Sequence, residues 1–124
     1  MSWGFVYCMS NESMPGMYKI GFTSASPYER AIQLSKGTGV PSPYIVLFYA
    51  DVPNPASYEL MIHDALADKR VSGNREFFRL DVKEIHHWIY DIAQIEHGAF
   101  AESQYYLWSR VDIDFENYKA RLAK

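Results

Sequence analysis

Apolar residues alternate at period two where the chain begins. Trp3, Phe5, Tyr7 and Met9 fall on one side of residues 3–9, and Tyr18, Ile20 and Phe22 on one side of M-Y-K-I-G-F-T at 17–23. Both runs predict strands. The N-E-S-M-P-G between them is turn chemistry, so the two should pair as an antiparallel hairpin. Y-I-V-L-F-Y-A-D-V at 44–52 is apolar almost throughout and reads as a central strand. Elsewhere the period becomes helical. Ser26-Pro27-Tyr28-Glu29 is a helix start with N-cap, Pro at the first position and a capping-box glutamate, followed by inward Ala31 and Leu34 and an end near Gly37. A second helix is expected from about Ala56 to Asp68. Asp81-Val82-Lys83-Glu84 opens a third, with an apolar stripe of Ile85, Trp88, Ile89, Ile92 and Ile95 and a stop near Gly98. A turn is expected at Ser72-Gly73-Asn74, a short extended piece at Phe77-Phe78, and a last helix over Phe115 to Leu122. This order predicts a small α+β domain, an antiparallel three-stranded sheet flanked by helices.

Length changes the picture little: 124 residues suit one domain with a real core. Cysteine use says more. With Cys8 alone there is no internal disulfide and no cysteine-based zinc cluster, and a reducing, cytoplasmic setting is the default. Residues 1–9 do not read as a signal peptide, and no apolar run approaches the ~20 residues of a membrane helix. Net charge is −3, which argues against a broad electrostatic nucleic-acid binder. The balance is uneven: residues 81–124 supply all of it, while 1–80 are neutral and contain the basic cluster Lys69, Arg70, Arg75 and Arg79. That cluster reads equally as a solvated loop or as a focused phosphate-binding patch.

Two local features invite chemistry. On the second strand, Lys19 and Gly21 share a face, and a glycine within a strand marks close approach of another group. On the second helix, Glu59, Ile62, His63 and Leu66 share one side, which places a carboxylate at the margin of the face turned inward. A surface Glu59–His63 pair, worth a few tenths of a kcal/mol, is the plain alternative. Buried acids are costly unless paired or metal-bound. Arg30, Tyr7, His86, His87 and His97 mean little singly. Cys8 reads as a small buried side chain, and Glu76 as a partner for a nearby arginine or the support of a loop beside a site.

In combination these pieces resemble the GIY-YIG endonuclease superfamily. The chain has a strand ending in Val6-Tyr7, a strand holding Lys19-Ile20-Gly21, a Glu29-Arg30 helix, the Glu59/His63 helix, Lys69-Arg70 and an R-E-F-F ending, over about residues 3–80. Eleven residues separate Tyr7 from Lys19, a gap typical of that family's two motifs. Lysine at 19 in place of tyrosine looks like the phage and meiotically-up-regulated-gene branch. The resemblance implies a nuclease core at 3–80, with 81–124 as a helical extension packed on it. It implies a metal-dependent endonuclease acting on DNA, with RNA left open, a homodimer left open, and Mg²⁺ or Mn²⁺ on Glu59. Tyr7 would serve as general base or water orienter. Lys19 and Arg30 would supply positive charge, Arg30 also stabilising the transition state, and His63 would orient a water or the phosphate. Lys69, Arg70, Arg75 and Arg79 would grip the nucleic-acid backbone, and Gly21 would leave room for a neighbouring strand or helix. An inactive nucleic-acid-binding or protein-interaction module on the same fold is the alternative.

Overall fold

A computed structural model describes residues 2–37, 39, 42–71 and 76–107. Strands β1 (Trp3–Asn11) and β2 (Met17–Thr23) form the expected hairpin. Asn11 organises its turn: its side-chain oxygen accepts from the Ser13 N–H at 3.0 Å, and its carbonyl accepts from the Met14 N–H at 2.9 Å. The register sets Tyr7 opposite Gly21 and Met9 opposite Lys19, so these four residues share one face. Helix α1 (Pro27–Ser35) follows, its first turn capped by the Ser26 hydroxyl, which accepts from the Tyr28 N–H at 3.1 Å. Strand β3 (Tyr44–Pro53) pairs along the other edge of β1, placing Tyr49 opposite Tyr7.

The sheet is wider than the sequence pattern suggests. Among the described residues it has five antiparallel strands in the order β4-β2-β1-β3-β5, where three were expected. The additions are β4 (Phe77–Arg79), beside β2, and β5 (Phe100–Glu102), beside β3. Each is three residues long, too short for a period-two signal to rise above local noise, and each is defined by its partner.

Both faces of the sheet are covered. On one, α1 lays Ala31 over Tyr7, Met9 and Val46. On the other lies the larger core, built on Val6, Cys8, Ile20, Phe48, Ala50 and Phe78 and roofed by helices α2 (Pro55–Ala65) and α3 (Val82–Glu96). From α3, Ile85, Ile89 and Ile92 are fully sequestered, each contributing about 1.5–3 kcal/mol relative to exposure. Ile95, expected in that stripe, is 68 % exposed, and Ala93 fills the inward position instead. The second helix is also shorter than expected, giving way to a 3₁₀ turn over Ala67–Lys69. Cys8 is buried, and burial pushes its thiol well above the usual range. The expected turn at 72–74 and helix at 115–122 lie outside the described residues.

Helix α3 ends where anticipated, but the residues divide the work differently. His97, not the glycine, takes the left-handed conformation at φ 54°. Gly98 instead permits a close approach of two chain segments. A Cβ there would collide with the Asp51 carbonyl oxygen, because the chain comes in closely to pair the Asp51 N–H with the Ala99 carbonyl at 2.8 Å. Backbone cannot step aside as a flexible side chain can. Gly98→Ala should therefore cost about 1–3 kcal/mol in urea unfolding. His97→Gly should instead stabilise by about 1 kcal/mol, having relieved a left-handed side-chain residue. Equal effects of the two changes would refute this division.

Candidate active site

Gly21 is where the site is made. A Cβ there would lie 2.6 Å from Cζ of Tyr7, so the tyrosine ring occupies the space a side chain would fill. The room expected for another strand or helix is taken by Tyr7 itself. The residue is only 2 % exposed, and its hydroxyl lies over β2 at Gly21.

That edge changes partners at Ile20. Up to this point β2 pairs with β4, and the Ile20 N–H donates to the Glu76 carbonyl at 3.0 Å. Beyond it, α2 supplies the partners. His63 Nε2 lies 2.8 Å from the Ile20 carbonyl and donates to it, while the Glu59 carboxylate accepts from the Phe22 N–H. Two side chains at i,i+4 on one helix thus continue a strand's hydrogen-bonding edge. With Nε2 committed, Nδ1 of His63 faces Glu59 Oε1 at 3.7 Å. The His63 ring is buried against Phe78, with centroids 5.0 Å apart. Glu59 is therefore neither a loose surface pair nor fully buried; its side chain is 17 % exposed.

Charge is dense here. Lys19, on the Tyr7 face, is buried and forms an ion pair with Glu76, with its ammonium 5.5 Å from the centre of the Phe77 ring. Glu76 was legible only as a partner for an arginine or a loop support. The structure gives it Lys19, a lysine that could not be buried without a counter-charge. Arg30 approaches from α1 and hydrogen-bonds the Tyr7 hydroxyl. So Tyr7, Lys19, Arg30, Glu59 and His63 converge on one place.

Protonation follows from that crowding. Burial raises the Tyr7 pKa above its ordinary 10.0, Arg30 opposes the shift, and the negative charges of Glu76 and Glu59 add to it. The expectation that Lys19 and Arg30 together would bring Tyr7 down is not met, because burial outweighs the one arginine and Lys19 is engaged with Glu76. Tyr7 is a neutral hydroxyl at pH 7. Glu59 is raised above 4.5, first by burial and then by Glu76, against the lowering influence of His63, Lys19 and the Phe22 N–H.

The basic cluster is more scattered. Lys69 and Arg70 are exposed beyond the end of α2, where Arg70 reaches back to the His63 carbonyl at 3.4 Å and lies over the Phe78 ring at 5.6 Å. Arg79 is exposed at the end of β4 opposite Met17, away from Gly21 along the hairpin. Arg75 lies outside the described residues. Of the remaining histidines, His86 pairs with Glu102 at 3.2 Å among Phe48, Phe100 and Tyr106, on the far side of the core.

The sequence profile of the T5orf172 domain family matches residues 4–93. The chain belongs to the T5orf172 domain family. This is a phage-associated domain related to the GIY-YIG and HNH-like nucleases. No curated protein and no solved structure matches the chain. In this T5orf172 domain, the matched region spans every residue of the cluster around Gly21. Among the described residues no helix is long and apolar enough to cross a membrane, and no three histidine, cysteine or acidic side chains form a metal cage. Glu59 is the one carboxylate of the cluster that could hold a hard divalent cation together with waters, since such ions use one or two carboxylates and keep much of their hydration. A cation there would also relieve the repulsion between Glu59 and Glu76.

A raised Glu59 leaves a signature. Well below pH 4.5 the carboxyl is protonated whether the chain is folded or not. Above that value the unfolded chain loses the proton first, so the folded state binds more protons and stability falls as pH rises. Glu59→Gln keeps an acceptor for Phe22 and removes the titration. Relative to this variant, wild type should lose stability progressively as pH climbs from 4.5 through the raised value. Urea midpoints across that range would show a flat or rising difference if burial did not dominate.

Proposed function

We propose that this T5orf172 domain is a metal-dependent endonuclease that hydrolyses phosphodiester bonds in DNA, of the GIY-YIG type whose second motif reads K-I-G. The reading is carried by one observation: Tyr7 lies over Gly21 and meets Arg30 from one side of the sheet and the Glu59/His63 edge from the other. A scaffold has no need for a tyrosine, an arginine and a half-buried glutamate to converge beside a bare strand backbone.

In this reading the phosphate lies at the Tyr7 hydroxyl, between Arg30 and Glu59, and not against the Gly21 backbone, which the Tyr7 ring covers. Arg30 donates to the phosphate oxygens and stabilises charge that develops as the bond to the leaving oxygen breaks. Tyr7, neutral, orients the attacking water by hydrogen bonding; the water's proton passes to solvent, and solvent protonates the leaving oxygen. A divalent cation on Glu59 would supply Lewis-acid activation when bound. His63 Nε2–H stays on the Ile20 carbonyl, which fixes the imidazole beside Glu59 with Nδ1 turned toward the carboxylate. Lys19 neutralises Glu76 and keeps a second carboxylate beside the phosphate from repelling it.

The test is cleavage of mixed DNA structures with Mg²⁺ or Mn²⁺. Glu59→Gln should abolish cutting with the fold intact. Arg30→Ala should reduce cleavage about 10²–10³-fold while binding falls far less, since its charge acts mainly in the transition state. Equal losses of binding and cleavage would reduce Arg30 to a phosphate contact. Wild type that binds tightly but cuts with neither metal would establish the binding-module alternative.

The basic cluster gives an independent measurement. Each phosphate that a side chain neutralises releases counterions. Lys69→Ala with Arg70→Ala should therefore flatten the log–log salt dependence of DNA binding by roughly one unit for each phosphate no longer neutralised. Arg70 also packs on Phe78, so its share should be checked against the variant's unfolding midpoint. An unchanged salt slope would make the pair a solvated surface.

A further inference from the structure

Beside the Gly21 site, on the same face, three aromatic rings form a shelf. Tyr49 is the β3 neighbour of Tyr7 in the sheet register, so Gly21, Tyr7 and Tyr49 make one row across β2, β1 and β3. Phe5 meets Tyr49 edge-on with centroids 5.5 Å apart and planes at 83°, and Tyr28 meets it at 6.0 Å and 89°. The Tyr28 hydroxyl also hydrogen-bonds that of Tyr49. Tyr28 nevertheless remains 46 % exposed and takes no part in the core under α1. It stands in the first turn of α1, two residues before Arg30.

We propose that Phe5, Tyr28 and Tyr49 form a stacking platform for the unpaired bases of a DNA strand whose phosphate lies at Tyr7 and Arg30. The inference rests on the phosphodiester reading and adds the substrate class: single-stranded DNA, or DNA with frayed or branched ends. Three observations carry it. The rings are held by one another, so a base stacks on them with little loss of side-chain freedom. They are continuous with the Tyr7–Arg30 contact, within the span of a strand passing through the site. Finally, residues 1–80 have no excess positive charge and the chain as a whole is at −3. Affinity for duplex DNA, whose bases are hidden, comes mostly from phosphate contacts, whereas stacking adds affinity for open strands that needs no net charge.

Binding is measured without divalent metal, so that no strand is cut. The probes are a short oligothymidylate carrying one 2-aminopurine, a blunt duplex of equal length, and an oligouridylate. Wild type should prefer the oligothymidylate to the duplex and quench the 2-aminopurine. Tyr28→Ala should weaken that binding about tenfold with little change for the duplex, and Tyr28→Trp should restore it. Tyr28 is exposed, so the variant should fold, and an unchanged unfolding midpoint checks this. Equal losses for strand and duplex, preference for the duplex, or tighter binding of the oligouridylate would overturn the proposal. Its fate separates from that of the nuclease reading. A protein that stacks the strand through Tyr28 but never cuts keeps the platform and loses the nuclease. One that cuts, but binds the oligothymidylate as tightly with Tyr28→Ala as without it, keeps the nuclease and loses the platform.

Discussion

Strand β2 needs hydrogen-bond partners past the point where β4 can give them. An edge strand with open N–H and C=O groups is costly when buried and sticky when exposed. Here the Ile20 carbonyl and the Phe22 N–H are met by His63 and Glu59, side chains from a helix one layer away. The arrangement holds α2 against the sheet and fixes the direction of both polar groups. The same two bonds that complete the sheet therefore position the carboxylate of the site. Structure and chemistry are not separable at Glu59, which is why glutamine is the informative replacement. Alanine would leave a backbone donor unmet as well as remove a charge.

The opposite face contributes through an absence. With no Cβ at Gly21, the Tyr7 ring can lie over β2, and a buried tyrosine from the middle of β1 brings its hydroxyl onto the neighbouring strand. Arg30 meets it from α1 on that same face, while Glu59 and His63 reach the edge of β2 from α2. The site is thus assembled around the edge of β2 by helices packed on different sides of the sheet. Any side chain at position 21 would push Tyr7 away and sever the two halves.

Much of this was legible in sequence, for identifiable reasons. The hairpin, the third strand and the long third helix carry strong periodicity, and the caps at Ser26 and Asp81 are local chemistry that the fold leaves intact. The side shared by Glu59 and His63 followed from helical spacing alone. What escaped was decided by partners distant in the chain. The strands at Phe77–Arg79 and Phe100–Glu102 exist only by pairing with β2 and β3. Glu76 took its partner from the neighbouring strand β2, distant in sequence, where Lys19 is buried and needs it. The excess of tyrosine was visible as composition, but nothing local tells Tyr28 and Tyr49, which meet, from any other pair.

The protonation of Tyr7 limits what the protein can do by itself. Burial and two neighbouring carboxylates favour the neutral phenol, and the Arg30 guanidinium does not reverse them. A general base works deprotonated, and the direction of this shift works against that role. The proximity of Glu76 to both groups adds to the Tyr7 shift and also raises Glu59, so the two shifts share a cause. Lys19 does not offset the shift at Tyr7, being bonded to Glu76. Its burial beneath Phe77 makes it a fixed counter-charge that tunes the field without itself touching the tyrosine.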